Sequence, residues 1–189
     1  MRIAVFISGT GSNLKSLIDA EKNNEFNSSI NLIISNKDAK GLFYGKGANI
    51  PSFVIKNDNE ILEKLKEYKI DLVVLAGYLK KVSDVILKEY ENNIINIHPS
   101  LLPKYGGKSF YGIKVHREVF ENNEKYSGAT VHYVDENIDS GNIVLQEKIN
   151  IQKFNSPEEI QKEVLKIEHN ILKKAVKKIE EEKWEHLYL

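Results

Sequence analysis

Cysteine is absent from the 189 residues, which excludes disulfides, a thiolate metal site and a cysteine nucleophile, and fits a reducing compartment. Neither sign of charge is in excess: 27 Lys and Arg stand against 27 Asp and Glu, for a formal net charge of zero. Without that field a protein does not concentrate on nucleic acid or on a membrane surface, so a small-molecule ligand is the expected partner, with no nucleic acid and no membrane. Long hydrophobic runs are missing as well. The apolar start at residues 3–7 is broken by Ser8-Gly9, too early for a signal-peptide core, and no later run reaches membrane-spanning length. A soluble cytoplasmic protein is expected. With no repeat, linker or low-complexity stretch, residues 1–189 are expected to form a single domain, long enough to bury a full core.

What is present is a rhythm of short Val- and Ile-rich runs at residues 3–7, 30–34, 71–76 and 94–97. Nearly continuous hydrophobicity over that length implies strands buried on both faces, as in a parallel sheet covered by helices. Residues 13–21, 40–49, 59–68 and 83–90 have the length and composition of crossover helices, so the first half reads as a doubly wound α/β unit. Two further strands, 129–134 and 142–149, lie close together across a turn containing Asp139-Ser140-Gly141, which makes the sheet mixed. The last clear helix starts at Ser156, with Pro157 in its first position and Glu159 completing a capping box. Ile160, Val164, Ile167, Ile171 and Ala175 follow one face and read as core contact. The closing residues 184–189 alternate weakly, like a small strand.

Two places carry candidate chemistry. Ser8-Gly9-Thr10-Gly11-Ser12-Asn13 turns the first strand into the first helix, where glycines let backbone N–H groups approach an anion at the positive helix end. Leu14 occupies the third glycine position of a dinucleotide fingerprint, and the Lys of a nucleoside-triphosphate loop is missing, so a ligand with one phosphate is favoured. The alternative is a tight turn with Ser12 or Asn13 capping the helix. Asn96 and His98 lie two apart at a strand end and point to one side of the sheet, with Ile95 and Ile97 on the other. Pro99 and Pro103 then turn the chain out of regular structure at the strand's carboxyl end, where ligand crevices of open α/β sheets lie. An Asn amide and a His ring N–H together can hold a developing oxyanion, more strongly when the ring is protonated. A carboxylate beside the imidazole would favour that charge. Asp139 is the candidate, although Asp before Ser-Gly is more often just a turn residue. His132 reads as a satisfied core histidine, and His116 and His169 fall on helical segments without a carboxylate partner.

The run Asn96-Ile97-His98-Pro99-Ser100-Leu101-Leu102-Pro103 resembles the signature of the folate-dependent formyltransferases, and Asp139-Ser140-Gly141 resembles their second conserved element. With the Ser8-to-Asn13 loop and Ala76-Gly77-Tyr78-Leu79, the resemblance extends over nearly the whole chain. It implies a Rossmann-like α/β fold with a mostly parallel central sheet flanked by helices and an antiparallel C-terminal part. It implies 10-formyltetrahydrofolate as cosubstrate, glycinamide ribonucleotide of purine synthesis as the amine acceptor, and no metal. Asn96, His98 and Asp139 then match the family's catalytic trio. Gly11, Ser12 and Asn13 match its phosphate loop, and Glu168 matches a carboxylate that holds ribose hydroxyls. Leu79, Lys80, Lys81 and Val82 match the segment that receives the pterin, largely through backbone. Asp135, Glu136, Asn137 and Ile138 match the folate loop that ends in Asp139, and Asn96 contacts the folate as well.

Three departures from the pattern stand out. Leu165 occupies a position where the family often has a polar residue, and Lys166 points about 100 degrees away on a helix. Residues 57–59 lack the arginine that meets the folate's glutamate tail, for which Lys56 is the substitute. Residues 104–112 form a glycine-rich variant of the loop after the signature and read as a flap, with Lys104 and Lys108 solvated. Rival functions are a methionyl-tRNA formyltransferase, disfavoured by the zero net charge, a formyl-tetrahydrofolate hydrolase, and a non-catalytic phospholigand-binding module. The oligomeric state is left open.

Overall fold

Each of the Val- and Ile-rich runs becomes a strand of one sheet. The computed structural model describes residues 1–185. Its first five strands are β1 (Arg2–Ile7), β2 (Ser29–Ser35), β3 (Ser52–Val54), β4 (Leu72–Leu75) and β5 (Ile94–His98). The patterning did not anticipate β3, which is three residues long and never fully buried. The antiparallel pair follows as β6 (Tyr126–Tyr133) and β7 (Ile143–Asn150). The helices are α1 (Ser12–Lys22), α2 (Leu42–Gly47), α3 (Asp58–Glu67), α4 (Asp84–Glu89), α5 (Ile113–Glu121) and α6 (Pro157–Glu185). Among the described residues, no helix is long and apolar enough to cross a membrane.

The sheet order is β3-β2-β1-β4-β5-β6-β7, parallel from β3 to β5 and antiparallel beyond. This is the parallel sheet turning mixed that the runs imply, with the antiparallel C-terminal part that the family resemblance implies. Alternation along each strand divides the core in two. Ile3, Val5 and Ile7 face the layer formed with α1, α5 and α6, whereas Ala4 and Phe6 face the layer formed with α3 and α4. The chain leaves β1 toward β2 and β3 on one side and resumes at β4 on the other. The crevice at that reversal opens at the carboxyl ends of β1 and β4.

Three local expectations are corrected. The helix expected at residues 40–49 shortens to Leu42–Gly47, a stretch that contains Gly45 and Gly47 and is followed by Asn49 at φ 57°, so glycine entropy and a left-handed residue end it early. Ser156 Oγ does accept from the Glu159 N–H at 3.2 Å, but the Glu159 carboxylate accepts from the Asn155 N–H at 2.8 Å, so the reciprocal half of the capping box moves one residue back. Trp184 and Glu185 continue α6 rather than starting a strand, and residues 186–189 of that expectation lie outside the described residues. The stripe Ile160, Val164, Ile167, Ile171 and Ala175 is buried throughout, each large aliphatic contributing about 1.5–3 kcal/mol over exposure.

Candidate active site

Strand alternation sends Ile95 and Ile97 into the core beneath α6 and leaves Asn96 and His98 on the opposite face. The antiparallel register then places His132 across from Asn96 and Thr130 across from His98, so four polar side chains share that face. The chain just after β5 folds over it. Leu102 N–H donates to Thr130 Oγ1 at 3.2 Å, the Thr130 hydroxyl donates to Ser100 O at 2.6 Å, and Gln146 Nε2 donates to Leu102 O at 3.0 Å.

Asp139 enters from the loop after β6, in the left-handed region at φ 59°. Its Oδ1 lies 3.5 Å from both Asn96 Nδ2 and His132 Nε2, and its Oδ2 lies 3.5 Å from His98 Nδ1. The Gly107 N–H donates to Oδ2 at 2.8 Å. Burial works to raise the Asp139 carboxyl, but His132, His98 and the Gly107 N–H together hold it below the ordinary range, so it is an anion. One carboxylate thus sits among three side-chain nitrogens.

The three residues on which the chemistry was expected to rest are therefore brought together. Asp139 acts on the charge of His98 in the expected direction, but it is not the largest influence. Asp139 and the Tyr105 carbonyl do push the imidazole up, but burial is the larger influence and takes it below 6.5, with His132 adding to the decrease. His132 is buried, and its Nδ1 bonds Tyr133 O at 2.8 Å, yet its Nε2 stands 3.1 Å from Asn96 Nδ2. Reading it as a satisfied core residue captured the burial and missed its place in the cluster. Only cross-strand register reveals that place. His116, buried on α5, is pushed down to about 4 by burial, with the charge of His98 adding to it, and burial also lowers His169 on α6.

The loop after β1 forms a second station. Gly11 is held at φ 76°, and a Cβ there would sit 2.6 Å from the Gly41 Cα, so only glycine lets the two segments meet. Lys15 N–H is the first to find a helical acceptor, Gly11 O at 2.9 Å, which leaves the N–H groups at the start of α1 directed outward. No side chain caps this helix and its first turn holds no acid, so capping by Ser12 or Asn13 is not realised. Asn13 instead turns inward, and its Nδ2 donates to Glu168 Oε2 at 2.8 Å. Burial pushes the Glu168 carboxyl up to about 7, against that single hydrogen bond. Leu165 is half-buried, and Lys166 is turned away into a pair with Glu163 at 2.6 Å.

Ser8 ties the two stations together. Its hydroxyl donates to Asn36 Oδ1 at 2.7 Å and accepts from Leu79 N–H at 2.9 Å, joining the carboxyl ends of β1, β2 and β4. Asn36 carried no signal in the sequence. Lys80 Nζ reaches Asp58 at 2.6 Å and Lys56 O at 2.8 Å, so the segment Leu79, Lys80, Lys81, Val82 is anchored on the start of α3. Val82 is buried among α3 and α4, and the Lys56 residue itself is exposed. Across the crevice, Asp135 Oδ1 accepts from Asn137 N–H and Ser140 Oγ, both at 2.8 Å, closing the loop that presents Glu136, Ile138 and Asp139. Leu79 and Ile138 stay 59% and 45% exposed, apolar surface suited to the flat face of a ring. A cavity of about 460 Å³ lined by Arg2, Glu21, Asn31 and Tyr68 shares none of these residues.

A model of the formyl transferase family matches residues 1–176. The chain is 37% identical over 196 residues to the chloroplastic phosphoribosylglycinamide formyltransferase of Arabidopsis thaliana, covering 97% of this chain and 67% of the relative. Against the phosphoribosylglycinamide formyltransferase of Escherichia coli K12 it is 36% identical over 181 residues, covering 90% and 83%. The chain spans about two thirds of the length of the plant relatives it matches. The crystal structure of phosphoribosylglycinamide formyltransferase from Anaplasma phagocytophilum superimposes with a TM-score of 0.89 at 34% identity, covering 96% of this chain and 87% of that one.

Proposed function

The chain belongs to the formyl transferase family, and from that premise we propose that it transfers the formyl group of 10-formyltetrahydrofolate to the amine of glycinamide ribonucleotide in purine biosynthesis. The observation that carries this reading is the convergence of Asn96 Nδ2 and His98 Nδ1, each 3.5 Å from the Asp139 carboxylate. An amide donor beside an imidazole nitrogen that donates once the ring is protonated is what an acyl transfer needs when the amine attacks and the formyl oxygen becomes an alkoxide. Asn96 and protonated His98 hold that oxygen, and no covalent enzyme intermediate forms. Asp139 favours the charged imidazole and orders a water that carries the proton lost by the amine toward the departing folate nitrogen.

The remaining roles follow the two stations. The first N–H groups of α1, with Gly11, Ser12 and the backbone of Asn13, receive the ribonucleotide phosphate at the positive helix end. Glu168, with acceptor capacity that Asn13 does not fill, takes the ribose hydroxyls. Leu79, Lys80, Lys81 and Val82 on one side and Asp135, Glu136, Asn137, Ile138 and Asp139 on the other bracket the pterin, with Asn96 between them. Residues 1–189 act as one formyltransferase domain on small-molecule substrates, in the cytoplasm.

The deciding assay is formyl transfer to glycinamide ribonucleotide, run beside other sugar amines and water as acceptors. Formylated ribonucleotide is the expected product. Formate release with no formylated amine would convert the reading to a hydrolase, and no reaction by the folded protein would reject catalysis at this site.

A further inference from the structure

The glycine-rich segment after the signature touches the site through its backbone. His98 Nε2 lies 2.8 Å from Tyr105 O, and because a carbonyl only accepts, that nitrogen carries a proton. If the ring holds one proton, Nδ1 is a bare lone pair facing the Asp139 carboxylate and can donate to nothing. With both protons present, Nε2–H satisfies Tyr105 and Nδ1–H points at Asp139 and at an oxygen that takes its place. We propose that the Tyr105 carbonyl is a positioning group that fixes the ring proton on Nε2, so that His98 serves as an oxyanion donor only in its doubly protonated form. This deepens the formyl-transfer reading and rests on it for the role of Nδ1.

The segment is built to present that carbonyl. Tyr105 adopts φ 56°, a left-handed conformation that non-glycine residues take at some strain. Its side chain is drawn the other way, the hydroxyl donating to Glu124 at 3.0 Å, where Lys104 also pairs at 2.8 Å. Gly106 follows, and a Cβ there would lie 2.6 Å from Leu102 Cδ2 and 3.2 Å from the Asp139 Cβ. Gly107 then gives its N–H to Asp139. One short stretch of backbone therefore accepts from the imidazole and donates to the carboxylate. The titratable groups facing His98 are Asp139 from the loop after β6, His132 from β6 and His116 from α5, and of these only Asp139 favours the charged ring.

The direct test replaces the amide between Tyr105 and Gly106 with an ester by putting glycolic acid in place of Gly106, which weakens the Tyr105 carbonyl as an acceptor. The Gly106 N–H that is lost makes no backbone bond among the described residues. Nitrogen chemical shifts of His98 in the full chain should show the neutral ring protonated at Nε2 before the change, and a shift of population toward Nδ1–H after it. The titration midpoint of His98 should fall by about half a pH unit, and the alkaline limb of kcat should fall with it while KM for the ribonucleotide stays within about twofold. A neutral ring protonated at Nδ1 in the unaltered protein, or a midpoint unmoved by the ester, would overturn the proposal. The nitrogen shifts report without any formyl transfer, so failure of the proposed reaction remains distinguishable from failure of the lock.

Discussion

Helix α6 buries two carboxylates in opposite ways. Glu180 receives the N–H and side-chain amide of Asn27 at 2.9 and 2.8 Å, the N–H of Ser28 at 2.5 Å and the Ser28 hydroxyl. Burial alone would raise it, but those donors hold it below the ordinary carboxylate range. Glu168, also buried, has Asn13 alone among the described residues and is pushed up to about 7. A buried anion with a full set of donors is finished structure, here fastening the start of β2 to α6. One with a single donor keeps acceptor capacity for something outside the protein. Asp139 resembles Glu180 in charge but has a single close donor, the Gly107 N–H at 2.8 Å: it is ionised, with its side-chain neighbours held at 3.5 Å.

Substitutions should separate these classes. The largest effect belongs to Asp139→Asn, which keeps the shape and removes the charge; turnover should fall about a thousandfold with a melting temperature shift of only a few degrees, and His98→Ala should match it. Steady-state kinetics beside thermal unfolding checks this, and near-normal turnover in either variant would move the chemistry elsewhere. Glu180→Ala should do the reverse. It strands buried donors and should lower unfolding free energy by about 3 kcal/mol in denaturant titration, with kcat of the folded fraction unchanged.

The pH dependence of stability sharpens the contrast further, because the two groups give slopes of opposite sign. Glu168 binds its proton more tightly folded, at about 7, than unfolded, at 4.5, so its contribution is fully present below pH 4.5 and is lost as pH rises through about 7, by about 3 kcal/mol. Glu180 is lowered on folding, so its contribution is present above 4.5 and lost as pH falls through its folded value. Glu168→Gln should flatten the first slope and raise KM for the ribonucleotide at least tenfold; Glu180→Gln should flatten only the second. Identical slopes in the two variants would erase the distinction. The smallest change is expected from Ser12→Ala, about 1 kcal/mol in ribonucleotide binding with kcat kept, since the proposed phosphate site relies mostly on backbone N–H groups. A defect confined to kcat would place Ser12 outside the phosphate loop.

Much of this was legible in one dimension because its causes are local. Runs such as residues 71–76 are strands buried on both faces, period two puts Asn96 and His98 on one side, and period 3.6 makes the α6 stripe a core contact. The Asn96-to-Pro103 signature and the Asp139 turn led to the family that the comparisons then showed. What the sequence could not supply depends on pairing between distant segments. Strand register sets His132 opposite Asn96, a loop folding back over β5 brings the Tyr105 carbonyl to His98, and helix packing turns Asn13 inward to Glu168. The charge on His98 belongs to that second class. The residues foretold a carboxylate that would raise the imidazole, but only the folded chain excludes water from the ring, and at this position desolvation outweighs the carboxylate.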